Sequence, residues 1–260
     1  VNGLALFVGI MIRYLRGFSA MIHAIDHMVI LVHDLAAATN DYASLGFTVT
    51  PGGVHADGAT HNALVALADG SYLELIAFRR EAPDHIWWRY VAEGEGLIDF
   101  ALLPGAIDDD IAAARMLGLD IAGPFSGGRE RPDGVRIAWK TARLATPDLP
   151  FLCSDVTPRD LRVPTGAARL HRNGATGIAR VLVATRDPAV SAARYRALLG
   201  IEGTTVAEGV SFQLGASAIV LIALNERHRR EGPCALELCG GASVDLDPAI
   251  THGVPIRLGA

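Results

Sequence analysis

The stretch from Ile25 to Ala77, IDHMVILVHDLAAATNDYASLGFTVTPGGVHADGATHNALVALADGSYLELIA, decides how the chain is read. Ile25 to Leu31 reads as a strand, and Leu35 to Ser44 as a short helix closed by Gly46. Phe47 to Thr50, Ala63 to Leu67 and Tyr72 to Ala77 then read as three strands, with turns at Gly52-Gly53 and Asp69-Gly70. The unit is therefore strand, helix and three strands.

Working outward, the same order returns. A second copy runs from Ile98 to Leu103 as strand, Ile107 to Leu117 as helix, then Leu119 to Ile121, Val135 to Thr141 and Leu149 to Cys153 as strands. A third takes Ile178 to Ala184, the helix Ala189 to Leu199, Thr204 to Ala207, Val210 to Leu214 and Ala218 to Ala223. Helices of the first and third copies close on similar phrases, Tyr42-Ala43-Ser44-Leu45-Gly46 and Tyr195-Arg196-Ala197-Leu198-Leu199-Gly200. One such small sheet cannot bury its own apolar face, so repeats imply paired modules. A fourth, incomplete unit follows, with strand character at Ala235 to Leu238.

The expected fold class is α+β, with repeated βαβββ modules forming curved mixed sheets around a cavity. The expected organisation is an N-terminal extension over 1–21, a two-module domain over 22–156, a linker over 157–175 and a shorter domain over 176–260. Pro158, Pro164 and several charges mark the linker. In the extension, the apolar run Gly3 to Ile12 is too short to span a bilayer and carries its arginines after it, unlike a secretory signal. The reading is that Met21 opens the functional protein, with 1–20 an extension from upstream translation or a loosely docked helix; an interfacial anchor is the other reading.

Composition narrows the partners. The 260 residues contain 23 Lys or Arg against 28 Asp or Glu, and the net charge of −5 lacks the basic footprint of a nucleic-acid binder. The small basic clusters Arg79-Arg80 and Arg227-His228-Arg229-Arg230 read as solvated loops. Cys153, Cys234 and Cys239 form no paired framework, which fits buried thiols in a reducing, cytoplasmic setting. No transmembrane segment is expected, and the apolar outer faces of the sheets leave room for a homodimer.

The module order, with Ile25-Asp26-His27-Met28-Val29 in the first strand and Tyr72-Leu73-Glu74-Leu75-Ile76 in the fourth, resembles the vicinal oxygen chelate superfamily and its glyoxalase-like proteins. The resemblance implies paired modules wrapped around a divalent metal ion, with ligands from the first and last strands of a module. It carries over to His27 and Glu74, whose N and O donors suit Zn, Fe, Mn, Ni or Co without choosing among them. A hydrogen-bonded structural histidine is the other reading of His27. The second module departs from the pattern: Phe100 stands where a ligand would, and Leu149 to Cys153 offers only a thiol. In the third, Arg180 and Val220 occupy the two positions.

A third ligand is therefore sought within the first module. His61 completes a two-histidine, one-carboxylate set, or, with Asn62, contacts substrate, or merely ends a strand. His61 and His55 are the candidate general bases, although a histidine in a glycine-rich turn is commonly just exposed. Phe125 to Gly134 reads as a Gly-rich loop whose Arg129 or Arg131 presents a fork to a substrate carboxylate, or as an exposed hairpin with internal pairing. Trp139 lines the cavity or packs the core, and Trp87-Trp88 covers its mouth. The resemblance implies a divalent-metal-dependent lyase, isomerase or dioxygenase acting on a small oxygenated substrate. The alternative is a non-catalytic binding or resistance protein that uses the same cup.

Overall fold

A computed structural model describes residues 22–260, so the expectations for 1–21 lie outside the described residues. The first module is β1 (Ala24–Leu31), α1 (Leu35–Ser44), β2 (Thr50–His55), β3 (Thr60–Ala66) and β4 (Tyr72–Phe78). The second is β5 (Gly96–Leu103), α2 (Ile107–Met116), β6 (Ile121–Glu130), β7 (Arg136–Leu144) and β8 (Phe151–Asp155). Their strands close one barrel in the order β1-β4-β3-β2-β6-β7-β8-β5. The closing seams are the antiparallel pairs β1 with β5 and β2 with β6.

After a short helix, α3 (Arg159–Arg162), the third module follows as β9 (Gly177–Thr185), α4 (Pro188–Leu199), β10 (Thr204–Val206), β11 (Gly209–Leu214) and β12 (Ser217–Ala223). It ends in β13 (Gly232–Cys239), β14 (Val244–Asp245) and β15 (Ile256–Leu258). These strands form a seven-stranded sheet, β10-β11-β12-β9-β13-β15-β14. Strand β13 pairs antiparallel with β9 as β5 does with β1, and β15 runs parallel to β13 as β8 does to β5. The tail is thus a fourth module reduced to its strands. The protein is α+β with curved mixed sheets, and among the described residues no helix is long and apolar enough to cross a membrane.

Local chemistry explains the repeats. Asp34 caps α1 by accepting from the amides of Ala36 and Ala37 at 2.8 and 3.1 Å, and Asp187 caps α4 in the same way through Ala189 and Val190. The helix-closing tyrosines bind the two sheets together. Tyr42 donates to the carbonyl of Thr251 at 3.2 Å, and Tyr195 to the carbonyl of Asp148 at 2.7 Å, so each reaches from its own sheet to the other. One apolar core runs through both: Met28, Ile30 and Leu75 on the outer face of the barrel share it with Val181, Leu221 and Leu238.

Two sequence expectations are corrected. The second strand of the first module begins at Thr50 instead of Phe47, because Thr48 bonds the linker: its amide donates to His171 Nδ1 at 2.9 Å and its hydroxyl to the carbonyl of Leu170 at 2.5 Å. Gly52-Gly53 accordingly lies within β2 as a bulge and not in a turn. The stretch Phe125 to Glu130 is strand β6, not loop, and the reversal is confined to Arg131–Val135. Gly127 permits this, since a Cβ there would lie 2.3 Å from Nε1 of Trp139 on the facing strand.

Tyr195→Phe is expected to lower stability by roughly 1–3 kcal/mol, the cost of stranding a buried acceptor, read from the urea midpoint; an unchanged midpoint would show that this tie is not holding the sheets together.

Candidate functional site

The barrel encloses a cavity of about 780 Å3. Along β1, His27, Val29 and Leu31 pair with Tyr72, Glu74 and Ile76 of the parallel strand β4, and strand alternation turns this set inward. The His27 ring stacks on Tyr72 with centroids 4.5 Å apart and meets the edge of Phe151 at 5.4 Å. Its Nε2 lies 3.5 Å from Glu74 Oε2. On the other side of the carboxylate, His55 Nε2 lies 3.5 Å from Oε1, while its Nδ1 is 2.7 Å from Thr60 Oγ1. Asn62 completes the surround by donating its amide to Glu74 Oε1 at 2.5 Å.

A buried carboxylate in apolar surroundings would normally titrate high. Burial does push Glu74 up, but His55, the charge of His27 and the Asn62 amide outweigh it and hold the carboxyl at about 2. Glu74 is an anion at any physiological pH.

Below this centre lies a second layer. Asp26 is wholly buried, and although burial raises its pKa, the Arg162 guanidinium and His27 hold it well below the usual carboxylate range. Its Oδ2 meets His27 Nδ1 at 2.6 Å. Adjacent strand residues normally point to opposite faces. Here Asp26 is the extra residue of a bulge between the pairs Ile25–Leu102 and His27–Ala101, which lets both side chains turn the same way.

The cavity wall combines rings with positive charge. Trp139 meets His55 edge-on at 5.9 Å. Arg129 is 5% exposed and lines the cavity, donating only to the carbonyls of Gly52 at 3.2 Å and Arg162 at 2.7 Å. Burial lowers its pKa. Among the described residues no carboxylate pairs with it. Arg143 lies over Phe151 at 4.9 Å and faces Asp99 at 3.8 Å. At the mouth, His85 accepts from the amide of Trp87 at 3.2 Å through Nδ1, so a neutral ring carries its proton on Nε2. Burial lowers the pKa of His85, with Asp57 partly offsetting it.

The cavity therefore gathers His27, Glu74, His55, Asn62, Arg129 and Trp139 of the sequence candidates. It does not gather His61 or Arg131. On β3, Thr60 and Asn62 face inward, so alternation turns His61 to the other face with Ala63 and Val65 of the outer core. Arg131 sits in the hairpin turn, 2.6 Å from Asp133. The expectation that His61 joins His27 and Glu74 as metal ligand or base is thus not matched by its position. Trp87 lines the cavity, whereas Trp88 packs on Phe78 at 4.8 Å. Sequence reading passed over Asp26, Arg162 and His85; the available signal was only that Asp26 precedes His27.

Two donor sets lie along the cavity, and among the described residues one of them has its donor atoms mutually close. Ligands of one ion stand about 2.0–2.3 Å from it and so within roughly 4 Å of one another. Asp26, His27 and Cys153 have ligating atoms within 4.8 Å of one another. Binding there would require Asp26 to give up its guanidiniums and Cys153 to ionise, although burial pushes that thiol up to about 12. The second set, His27, His55 and Glu74, has both imidazole Nε2 atoms facing an ionised carboxylate at 3.5 Å, with each Nδ1 already engaged. Its donor types, two histidines and one carboxylate, suit a divalent ion, but each imidazole faces a different oxygen of Glu74 and the three donors do not come within 4.8 Å of one another, so to share one ion the side chains would have to draw together.

The sequence profile of the glyoxalase-like domain matches residues 25–199, and the chain belongs to that family, within the vicinal oxygen chelate superfamily. Among solved structures, a hypothetical protein from Staphylococcus aureus superposes with a TM-score of 0.74 at 12% identity, covering 90% of this chain and 98% of that one. A triple variant of 4-hydroxymandelate synthase from Streptomyces coelicolor gives 0.59 at 15% identity, covering 88% and 73%. At such identities these likenesses speak for the fold. No curated protein matches the sequence.

Because the folded-state pKa of Glu74 lies below the ordinary 4.5, its ionisation stabilises the metal-free protein fully above that pH and progressively less as the pH falls toward 2. Glu74→Gln is expected to flatten stability across this window, measured by urea unfolding at stepped pH. An equally steep acid loss in the variant would assign it to other carboxylates.

Proposed function

We propose that the protein is a divalent-metal-dependent enzyme acting on a small, oxygen-rich organic acid, with His27, His55 and Glu74 as the metal ligands. The observation that carries this reading is one ionised, buried carboxylate flanked on both oxygens by imidazole Nε2 atoms at 3.5 Å, beside a cavity of about 780 Å3. Family membership supports it. When bound, the ion would supply Lewis-acid polarisation of neighbouring ligand oxygens, the chemistry common to lyase, isomerase and dioxygenase reactions.

The chain's own residues would do the rest. Arg129, buried and with no carboxylate partner among the described residues, offers its charge to an acid group of the ligand. His85 offers an Nε2 proton from the mouth. Trp139, Phe151 and Trp87 give flat apolar walls that favour a ring or a short carbon chain and keep water away from the polar centre.

A second reading follows from the same centre. Asn62 and the two imidazoles already surround Glu74, so its charge has polar neighbours without an ion, as a non-catalytic binding cup would require.

Elemental analysis of protein purified without an affinity tag decides between them. The expected result is close to one equivalent of Zn, Fe, Mn, Ni or Co, lost in His27→Ala, His55→Ala and Glu74→Gln but kept in His61→Ala. A wild type that stays empty after reconstitution with each of these metals, yet quenches its tryptophan fluorescence with aromatic acids, would overturn the enzyme reading and leave the cup. In either case Arg129→Met is expected to weaken acid ligands by about tenfold or more, as loss of a charge-assisted hydrogen bond implies, relative to their amides. Equal weakening of acids and amides would remove Arg129 from the binding role.

A further inference from the structure

We infer that Arg162, on the short helix α3 that follows the barrel, is a positioning residue for His27, acting through Asp26 and Tyr72 to set which ring nitrogen faces the cavity. The inference rests on the reading of His27 as a metal ligand. It concerns a residue of the segment between barrel and second sheet, which the sequence presents as a connection.

The chain of contacts is continuous. An ionised carboxylate only accepts hydrogen bonds, so the 2.6 Å contact of Asp26 Oδ2 with His27 Nδ1 places a hydrogen on Nδ1. That leaves Nε2, 3.5 Å from Glu74 Oε2, as the nitrogen with a lone pair when the ring is neutral. Asp26 is itself immobilised. Arg162 Nη1 donates to Oδ2 at 2.8 Å and Nη2 to Oδ1 at 3.0 Å, a two-pronged grip, and Arg159 Nη1 reaches Oδ1 at 2.6 Å.

Arg162 is also held from behind and used on a second side. Its Nε and Nη2 both donate to Asp155, the latter at 3.0 Å. Its Nη1 donates to the hydroxyl of Tyr72 at 2.8 Å, and the Tyr72 ring is the one stacked on His27 at 4.5 Å and 15°. The guanidinium therefore controls the imidazole at its edge, through Asp26, and at its face, through Tyr72. At 2% exposure, Arg162 is among the largest fully buried side chains in the protein.

Simple closure of the barrel base does not account for this. Apolar residues of similar volume fill such a space at no loss of stability, since desolvation of a buried ion pair commonly cancels its attraction. A buried pair aimed at one imidazole edge, with its second arm on the ring stacked over the same imidazole, has the form of the carboxylate–histidine arrangements that orient metal ligands.

The experiment uses the full chain with Asp26→Asn, Arg162→Met and Arg162→Lys variants and two readouts. Nitrogen NMR of the metal-free protein, at a pH where the ring is neutral, is expected to show wild-type His27 protonated on Nδ1, with a shift toward the Nε2–H form in each variant. Affinity for zinc, by competition with a chelator, is expected to fall about 10- to 100-fold, as for loss of other orienting partners, while thermal unfolding stays cooperative. Arg162→Lys keeps the buried charge but not the fork, so it serves if Arg162→Met does not fold. Folded variants with an unchanged tautomer would overturn the inference even if wild type binds zinc normally. A wild type that binds no metal but shows the Arg162-dependent tautomer would uphold the positioning role and overturn the metal reading.

Discussion

A carboxylate with no solvent exposure sits at the base of the barrel, and much of the arrangement around the cavity depends on how Asp26 is neutralised. Removing one partner from such a buried pair costs about 3–5 kcal/mol, because the other charge is left stranded in a low-dielectric interior. The partners arrive from far along the chain, Arg162 being 136 residues away in sequence. Their docking fixes the segment after β8 against the barrel base. That segment then serves the opposite wall: the carbonyl of Arg162 accepts from Arg129 at 2.7 Å, setting the height at which this guanidinium lines the cavity. The pair thus connects β1, the linker and β6.

The two faces of β1 show how stability and chemistry are kept apart. Met28 and Ile30 point outward into the core shared with the second sheet, while Val29 and Leu31 join Ile76, Ile98 and Phe151 inside the barrel. The apolar interior cluster packs beside the polar centre, so His27 and Glu74 are desolvated by neighbours that offer them no hydrogen bonds. The hydrogen bonds these groups do make, His27 with Asp26 and Glu74 with Asn62, are correspondingly strengthened. The bulge at Asp26 adds a polar layer to the strand without disturbing its regular pairing with β4.

The repeat, the helix ends and the pair His27 and Glu74 were legible because they follow from periodicity and from positions within one module. What escaped depends on relations between strands. Gly52-Gly53 has the composition of a turn, and only the pairing of β2 with β3 makes it a bulge; a Cβ at Gly52 would lie 1.9 Å from Asn62 Oδ1. That misplacement left His55 in a loop, when in fact it ends β2 beside Glu74. His61 had the right residue type, but one step along a strand reverses the face, and with it the site. Arg162 stands in a proline-bearing stretch that reads as linker, and nothing local announces a partner on β1.

All three candidate donors, His27, His55 and Glu74, come from strands of the first module, which changes what the second module must do. Phe100 and Cys153 stand where a symmetric pair of modules would each supply ligands, and both are buried and uncharged, the thiol because burial raises its pKa to about 12. On the proposed ligand set, the inner face of the second module would carry no ligand and would be free to be shaped for whatever enters. It presents Arg129, Trp139, Arg143 and Phe151 to the cavity. Arg143 is offset by Asp99, whereas among the described residues no carboxylate pairs directly with Arg129, which lies close enough to Glu74 to feel its charge. The first module would fix the reactive centre and the second would select and orient what reaches it.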